Sequence, residues 1–266
     1  MYQLNASDTS IEEAESGADR EIFLNWTYND SELVIGLVGA VGTDHQLIID
    51  ALQRRLQAYK YDVEVINISK HVISKLYGDV DTKDEYQRIS SYMNYGNRAR
   101  EESQDNSLLA LGVANEISNR RKKPNEPRSR TAYIVNSLKH PKEVELLREI
   151  YSTGFFLIGI HADENRRLDY LEKEKRIDLD NARSLIERDM SEDSGHGQHT
   201  RDTFQLSDFY VYLDLNIDQL KKSIWRTLDL IFGHPHLTPT FEEFAMFSAF
   251  TSALRSADLS RQVGAV

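Results

Sequence analysis

The chain has 266 residues, of which 40% are hydrophobic and 28% charged, and its formal net charge is −11 at pH 7. Such a composition is typical of a globular protein with a sizeable core, in one large domain or two unequal ones. The negative charge argues against non-specific binding to nucleic acids, and the absence of cysteine excludes disulfides and thiolate metal ligands within these residues. No stretch matches a signal peptide or a membrane span, so we expect a cytoplasmic protein without membrane contacts.

Residues 1–30 are polar, with many carboxylates against the single Arg20. Segments of this kind bury too little apolar surface to fold alone, so we predict an acidic, flexible leader. Its apolar Ile22, Phe23 and Trp26 are candidates for docking on the rest of the protein.

Beyond residue 30, short apolar runs alternate with helical periods. Strands are predicted at 33–38, 63–68, 131–136, 155–160 and 209–213. Helices are predicted at 44–59, 97–120, 141–152, 163–189 and 216–231. This alternation indicates βαβ units, and therefore an α/β fold with a parallel sheet and helices on both faces.

Two polar segments interrupt the alternation. The basic stretch "RRKKPNEPRSR" (120–130) contains two prolines, and a solvated loop is favoured there over an RNA-binding patch. The stretch "SEDSGHGQHTRD" (191–202) is predicted to be a mobile loop. Its His196 and His199, with the more distant His161, match no spacing of metal-ligand pairs, so we predict no metal site.

The stretch "FGHPHLTPT" (232–240) contains a glycine and two prolines and predicts a boundary. After it, Thr240 is placed to cap a helix over 240–257, with Glu242 and Glu243 in its first turn. Its Phe244, Phe247, Phe250 and Leu254 recur at the spacing of a buried face. We expect that face to pack on the domain that precedes it, to pair with another copy of the chain, or to stay partly exposed. The final "RQVGAV" predicts a strand, and because the chain stops inside it, we interpret the sequence as a fragment.

The stretch "GLVGAVGTDHQ" (residues 36–46, called the glycine loop below) lies between the first predicted strand and the first predicted helix. A P-loop, G-x-x-x-x-G-K-[ST], occupies the same place: its amides wrap phosphates, its Lys neutralises them and its Ser/Thr binds magnesium. Aligned on Gly39, this chain has Asp44 in place of the second Gly, His45 in place of the Lys and Gln46 in place of the Ser/Thr. Two interpretations stay open, a loop that binds nucleotide without hydrolysing it and a simple glycine turn. The candidate nucleotide-binding residues here are Gly39, Gly42, Thr43, His45 and Gln46.

Four separated stretches together resemble the bacterial anti-phage deoxycytidine nucleotide (dCTP/dCMP) deaminases. They are "SLKHPKEVELLREIYSTGFFLIGIHADENRRLDYL" (137–171), "LIERDMSED" (185–193), "GQHTRDTFQLSDFYV" (197–211) and "LIFGHPHLTPTFEEFAMFSAFTSALRSADLSRQVGAV" (230–266). Those proteins join an N-terminal P-loop nucleotide-kinase-like domain to a C-terminal zinc deaminase. The resemblance implies a kinase-like domain at 31–233, after the leader at 1–30. It also implies that 234–266 is a linker plus the first helix and strand of a truncated cytidine-deaminase-like α/β/α domain.

The resemblance adds four candidate nucleotide-binding residues. Asn136 lies at the strand end where P-loop kinases place an Asp that orients magnesium, and Lys139 is expected in the cleft beyond that strand. Arg166 and Arg167 lie where a kinase lid supplies arginines that bind phosphate; the alternative is a solvated helix with Glu–Lys pairs. Arg188 is left open between an ion pair with Asp189 or Asp193 and a contact with phosphate.

The resemblance implies an enzyme that depletes dCTP during phage infection by converting deoxycytidine to deoxyuridine nucleotides. That chemistry needs an H-x-E segment and a P-C-x-x-C segment around zinc, and neither occurs here. We therefore predict no catalytic residues in this chain and a nucleotide, with or without magnesium, at the glycine loop. The alternatives are an autonomous nucleotide kinase and a non-enzymatic module that assembles oligomers. The expected partners are deoxynucleotides, further copies of the chain and an inhibitor, but not DNA.

Overall fold

The computed structural model describes residues 31–123, 126–191, 197–213, 216–258 and 262–266. The leader predicted at 1–30 lies outside these residues, as do His196 and Asp193 of the predicted mobile loop. Part of the basic 120–130 stretch is also outside them.

A five-stranded, all-parallel sheet forms the centre of the protein, in the order β2-β3-β1-β4-β5. The central β1 is buried along almost its whole length because it carries apolar side chains towards both faces. All five strands predicted from the apolar runs are confirmed to within about a residue. Their bounds are β1 (Glu32–Gly39), β2 (Asp62–Asn67), β3 (Thr131–Asn136), β4 (Phe155–His161) and β5 (Phe209–Tyr212).

Helices cover both faces of this sheet. The segments before α2 and after α6 continue those helices as single π-helical turns, at Ser69–Ile73 and Tyr170–Glu174. The helices are α1 (His45–Ala58), α2 (Ser74–Tyr77), α3 (Glu85–Ser103), α4 (Leu108–Arg120), α5 (Pro141–Tyr151), α6 (Glu164–Asp169), α7 (Leu179–Ser191), α8 (Thr200–Gln205), α9 (Ile217–Ile231) and α10 (Phe241–Ala253).

Two of the predicted helices are each broken in two. The helix predicted at 97–120 is interrupted at Gln104, which has a left-handed φ of 53°, and Asp105 then accepts a hydrogen bond from the Ser107 amide (2.8 Å). The helix predicted at 163–189 is interrupted around Arg176 (φ 56°), where Ile177 turns into the core. Neither break contains glycine or proline, which is why the pattern alone did not show it.

The core has two layers, one on each face of the sheet. On one face, α1 and α9 pack on the side chains of β1 that include Leu33 and Ile35. On the other, α3, α4 and α5 pack on those that include Val34 and Val38. Alternate residues of a single strand therefore feed the two layers, as the period-2 geometry of a strand requires.

A third, smaller apolar cluster lies beyond the carboxyl ends of the strands. It joins Met93 of α3 to Leu171 and Ile177 and to the inner side of α7, and Val41 of the glycine loop packs against it. This cluster holds α6, its π-helical turn and α7 as a roof above the loop. None of the helices in the described ranges is long and apolar enough to cross a bilayer.

The predicted cap of the last helix is confirmed, and of the placements expected for its apolar side the structure shows exposure and not packing on the kinase-like domain. The Thr240 hydroxyl accepts from the Glu243 amide (3.2 Å), and the Glu243 carboxylate accepts from the Thr240 amide (2.7 Å). Phe241, Phe244, Phe247 and Phe250 are nevertheless each at least 60% exposed. Arg226 of α9 binds the Glu243 carboxylate in the first turn of α10 (2.7 Å). Leu254 is also exposed, and the strand predicted at 261–266 is wrong for residues 262–266, which have no regular structure.

We expect the exposed aromatic side of α10 to make the protein self-associate, since monomers rarely leave several large apolar side chains of one surface exposed to water. Deleting residues 238–266 should therefore shift the protein towards monomer in sedimentation velocity at matched concentration. A truncated protein with an unchanged oligomeric state would contradict this expectation.

Candidate functional site

A crevice lies at the carboxyl ends of β1, β2 and β3, the position where open parallel sheets bind ligands. It encloses a cavity of about 360 Å³. The glycine loop forms its floor, α3 forms one wall and the π-helical turn after α6 forms another. Polar and charged residues that line it include Asn67, Arg88, Tyr92, Arg100, Asn136, Ser137, Lys139, Tyr170, Lys175 and Gln198.

Several amides of the glycine loop are already hydrogen-bonded within the protein. The Thr43 amide donates to the Ala40 carbonyl (3.1 Å), and the His45 amide donates to the Thr43 carbonyl (3.0 Å). The Asp44 carboxylate caps α1 by accepting from the Gln46 amide (3.0 Å). The loop is thus a capped turn between a strand and a helix, and these amides already have partners, whereas the amides of a P-loop wrap phosphates.

The Asp44 carboxylate also lies beside the Tyr170 hydroxyl in the roof. Burial, with the nearby Asp44 charge second, raises the pKa of Tyr170 to about 12, so this hydroxyl stays protonated and donates to the carboxylate. The Asp44 carboxylate therefore already accepts hydrogen bonds from the start of α1 and from the roof.

His45, which stands in the position of the P-loop lysine, is uncharged. Its Nδ1 lies 2.6 Å from the Asn136 Oδ1 atom at the end of β3. Burial lowers the pKa of His45 to about 4, and the Asn136 hydrogen bond only partly opposes this shift. The imidazole Nε2 lies against Gly39, where an added Cβ would be 2.6 Å from it. The space left by Gly39 is thus filled by a neutral ring that cannot replace a permanent cation.

Lys139 places an ammonium group at the glycine loop, and it does so from the segment after β3 and not from the loop itself. Its Nζ donates to the Gly39 carbonyl (2.9 Å) and pairs with the Asp189 Oδ1 atom of α7 (3.1 Å). The other carboxylate oxygen of Asp189 accepts from the amide of Val41 (2.8 Å). An acidic side chain from the roof therefore neutralises the lysine and also takes one of the loop amides.

A buried ion pair holds the segment that carries Lys139. Arg100 of α3 and Glu143 of α5 are 2% and 0% exposed at their side chains, with Nη2 and Oε1 separated by 2.6 Å. The second carboxylate oxygen of Glu143 accepts from the amides of Lys139 (2.9 Å) and His140 (3.2 Å). The backbone after β3 is thus tied to α3, and this tie sets the direction of the Lys139 side chain.

The two predicted lid arginines lie on α6, but neither is among the described residues that line the cavity. Arg167 is buried, and its Nη1 donates to the Val41 carbonyl (3.3 Å). Gly42 has a φ of 85°, and a Cβ there would lie 2.8 Å from the Arg167 carbonyl oxygen. Gly42 therefore allows the roof backbone to approach the loop, and Arg166 is half-buried on the same short helix.

Gln46 and Asn136 stand where P-loop kinases bind magnesium, and their side chains do not fit that role. The Gln46 amide group donates to Asp50 on the outer side of α1 (2.7 Å), and the Asn136 carbonyl oxygen is used by His45. A hard divalent cation needs oxygen ligands that are free to converge on one point. Gln46 and Asn136 therefore do not offer a metal ion a converging set of oxygen ligands.

The structure shows contacts of Arg188, whose partner the sequence left open, and adds two residues that line the crevice. Arg188 donates to Ser90 (3.3 Å) and Asn94 (2.7 Å) on α3, while its neighbour Asp189 pairs with Lys139. Consecutive residues of a helix point about 100° apart, which lets these two neighbours contact different elements. Arg88 and Lys175 also line the cavity. Arg88 was not predicted there because the helix that carries it was predicted to begin at residue 97. Nothing in the sequence distinguished Lys175 from the other charged residues of the helix predicted at 163–189.

The strand order, the glycine-bearing loop between the central strand and a helix, and the crevice at the strand ends define a P-loop kinase-like α/β fold. No protein-family model and no curated protein matches the chain.

Among solved structures, the chain is similar to a gluconokinase from Sinorhizobium meliloti 1021, with 10% identity, 78% of this chain and 99% of that chain covered, and a TM-score of 0.42. It is also similar to shikimate kinases from Bacteroides thetaiotaomicron (11% identity, 75% and 98% covered, TM-score 0.45) and Aquifex aeolicus (14% identity, 74% and 96% covered, TM-score 0.42). At such low identity these similarities concern the fold alone.

Proposed function

We propose that this chain is the nucleotide-binding, regulatory part of an anti-phage deoxycytidine nucleotide deaminase. The parent enzyme would convert dCTP or dCMP to the deoxyuridine nucleotide and so deplete dCTP. The resemblance of four stretches between 137 and 266 to that family supports the proposal. The kinase-like fold, with its crevice at the carboxyl ends of β1, β2 and β3, is consistent with it.

Zinc chemistry is assigned to residues outside this sequence. A cytidine-type deaminase holds zinc with a histidine and two cysteines, and this chain contains neither a cysteine nor an H-x-E segment. An H-x-E segment followed by P-C-x-x-C in the reading frame after Val266 would support the proposal. A reading frame that continues without these segments would contradict it.

The neutral pair of His45 and Asn136 is the observation that carries the regulatory role. Phosphoryl transfer requires neutralisation of charge on the transferred group and a positioned metal ion. Here the lysine position holds an uncharged imidazole, and the aspartate position holds an amide bonded to it at 2.6 Å. Binding of a phosphate needs less, since loop amides, the start of a helix and an ammonium group can bind it without a metal ion. Here the carboxylates of Asp44 and Asp189 already accept from donors of these kinds, so a ligand must compete with them. The domain is therefore suited to bind a nucleotide and not to turn it over.

Calorimetric titration with ATP, dCTP and dTTP, with and without magnesium, tests this function. We expect weak binding that does not depend on magnesium, and no release of phosphate. Gly39→Val should abolish binding, because its Cβ would lie 2.6 Å from His45 Nε2 and 3.3 Å from the Ile160 carbonyl oxygen. Its circular dichroism and thermal midpoint should be recorded beside the wild type to establish that the variant is folded.

Two results would contradict the regulatory role. Magnesium-dependent turnover of ATP would indicate a kinase. The absence of binding to all three nucleotides would indicate a scaffold that only positions other domains.

A further inference from the structure

The carboxylate of Asp189 lies in the glycine loop although it comes from α7, 148 residues away from the nearest loop contact. Its Oδ2 atom accepts from the Val41 amide (2.8 Å), and its Oδ1 atom accepts from Lys139 Nζ (3.1 Å) and the Thr200 hydroxyl (3.1 Å). The Asp189 side chain is only 1% exposed. Both oxygens are therefore bound by the protein itself and shielded from water.

These three donors are of the kinds that bind a phosphate group. A backbone amide of a loop after a strand, an ammonium and a hydroxyl are the donors that P-loops and helix N-termini direct at phosphate oxygens. A carboxylate resembles a phosphate in carrying negative charge on oxygens that accept several hydrogen bonds. Asp189 thus fills a position suited to an anion, and a ligand phosphate brought beside it would meet a like charge at short range.

The position of Asp189 depends on the roof. Arg167 of α6 contacts the Val41 carbonyl, and the Arg167 backbone lies close against Gly42. The inner side of α7, including Leu185 and Ile186, packs in the third apolar cluster with Met93 of α3. Asp189 is carried by a helix and its side chain is 1% exposed, so the carboxylate has no open space to rotate into and leaves the loop when the end of α7 shifts.

We propose that Asp189 is an internal anion that closes the glycine loop, and that a polyphosphate enters the loop only by displacing it. Binding of the ligand is then coupled to movement of α7 and of α8, which carries Thr200. The inference rests on the proposed nucleotide-binding role of the same loop. To that role it adds a competitor for the ligand, the Asp189 carboxylate. It also names the donors that both would bind and the two helices that would move when the ligand replaces the carboxylate.

Removing the charge of Asp189 while keeping its size tests the competition. Asp189→Asn leaves an oxygen that still accepts from an amide but releases the Lys139 ammonium for an external anion. We expect the variant to bind inorganic tripolyphosphate and ATP at least tenfold more tightly than the wild type. Glu187→Gln is the matched control, since it makes the same change in net charge at an exposed position of the same helix and should leave affinity unchanged.

Hydrogen exchange on the unmodified chain provides a measurement that does not depend on a variant folding. Saturating tripolyphosphate should slow exchange in the glycine loop and speed it in the segments 179–191 and 200–205. Protection of the loop with unchanged exchange in both helical segments would overturn the coupling.

The outcomes separate this inference from the proposed function. Nucleotide binding by the wild type, with no gain in Asp189→Asn, overturns the inference and leaves the function standing. Binding by Asp189→Asn together with no nucleotide binding by the wild type supports the inference and overturns the function for this chain. The absence of binding to both proteins overturns both proposals.

Discussion

Replacing Glu143 by alanine is expected to lower the free energy of unfolding by about 3–5 kcal/mol, the usual effect of leaving a buried charge without its partner. The Arg100 guanidinium would remain at a site that is almost completely shielded from water. The amides of Lys139 and His140 would also lose their acceptor, which places the expected loss towards the upper end of this range. Urea denaturation followed by circular dichroism measures the loss.

Glu145→Ala is the matched control for Glu143→Ala. Glu145 lies on the same helix and pairs with Lys142, but its side chain is 54% exposed. A surface pair of this kind contributes little, so we expect a change within about 0.5 kcal/mol. Equal losses in the two variants would show that the Arg100–Glu143 pair does not stabilise the segment after β3.

Lowering the pH from 7.5 to 5.5 is expected to destabilise the fold by about 3 kcal/mol through His45 and His140 together. Burial lowers the pKa of both side chains to about 4, whereas a histidine in the unfolded chain titrates near pH 6.5. Between these values the unfolded chain binds more protons than the native protein. The contribution of each ring is therefore full above pH 6.5 and is lost as the pH falls towards 4, by about 1.4 kcal/mol at pH 5.5.

Urea denaturation at the two pH values, with two variants, separates the histidines from other groups. His140→Asn keeps an oxygen that can accept from the Lys142 amide, as His140 Nδ1 does at 3.1 Å, but no longer titrates, so its pH-dependent loss should fall to about half. His236→Asn changes an exposed position and should keep the wild-type pH dependence. If the two variants behaved alike, the buried His140 ring would not be a source of the acid sensitivity.

The apolar pattern by itself determined the strands and the class of fold. Runs such as "FFLIGI" carry apolar side chains towards both faces, and only a strand covered on both sides by helices can bury them all. The cap at Thr240 could also be predicted from the sequence, because the two residues that exchange hydrogen bonds, Thr240 and Glu243, lie three positions apart. Signals of this kind depend on neighbours within a few positions along the chain.

The chemistry of the glycine loop was only partly readable. The sequence shows that His45, Gln46 and Asn136 replace residues on which phosphoryl transfer depends, and this substitution is visible without coordinates. It does not show that the imidazole is bonded to Asn136, 91 residues away, nor that it is shielded from water enough for its pKa to fall to about 4, which keeps it uncharged. Residue identity is local information, whereas a pKa depends on every group packed around the side chain.

The tertiary structure alone decided what occupies the loop and which surfaces are covered. Asp189 reaches Val41 across 148 residues, and no period or motif relates the two positions. Arg167 is buried within the roof and does not line the cavity. The aromatic side of α10 stays exposed although its spacing is that of a buried face. The periodicity of apolar residues predicts which residues of a helix share a side. Which elements pack against that side depends on contacts between distant parts of the chain. Burial and ion pairing are therefore decided only in the folded protein.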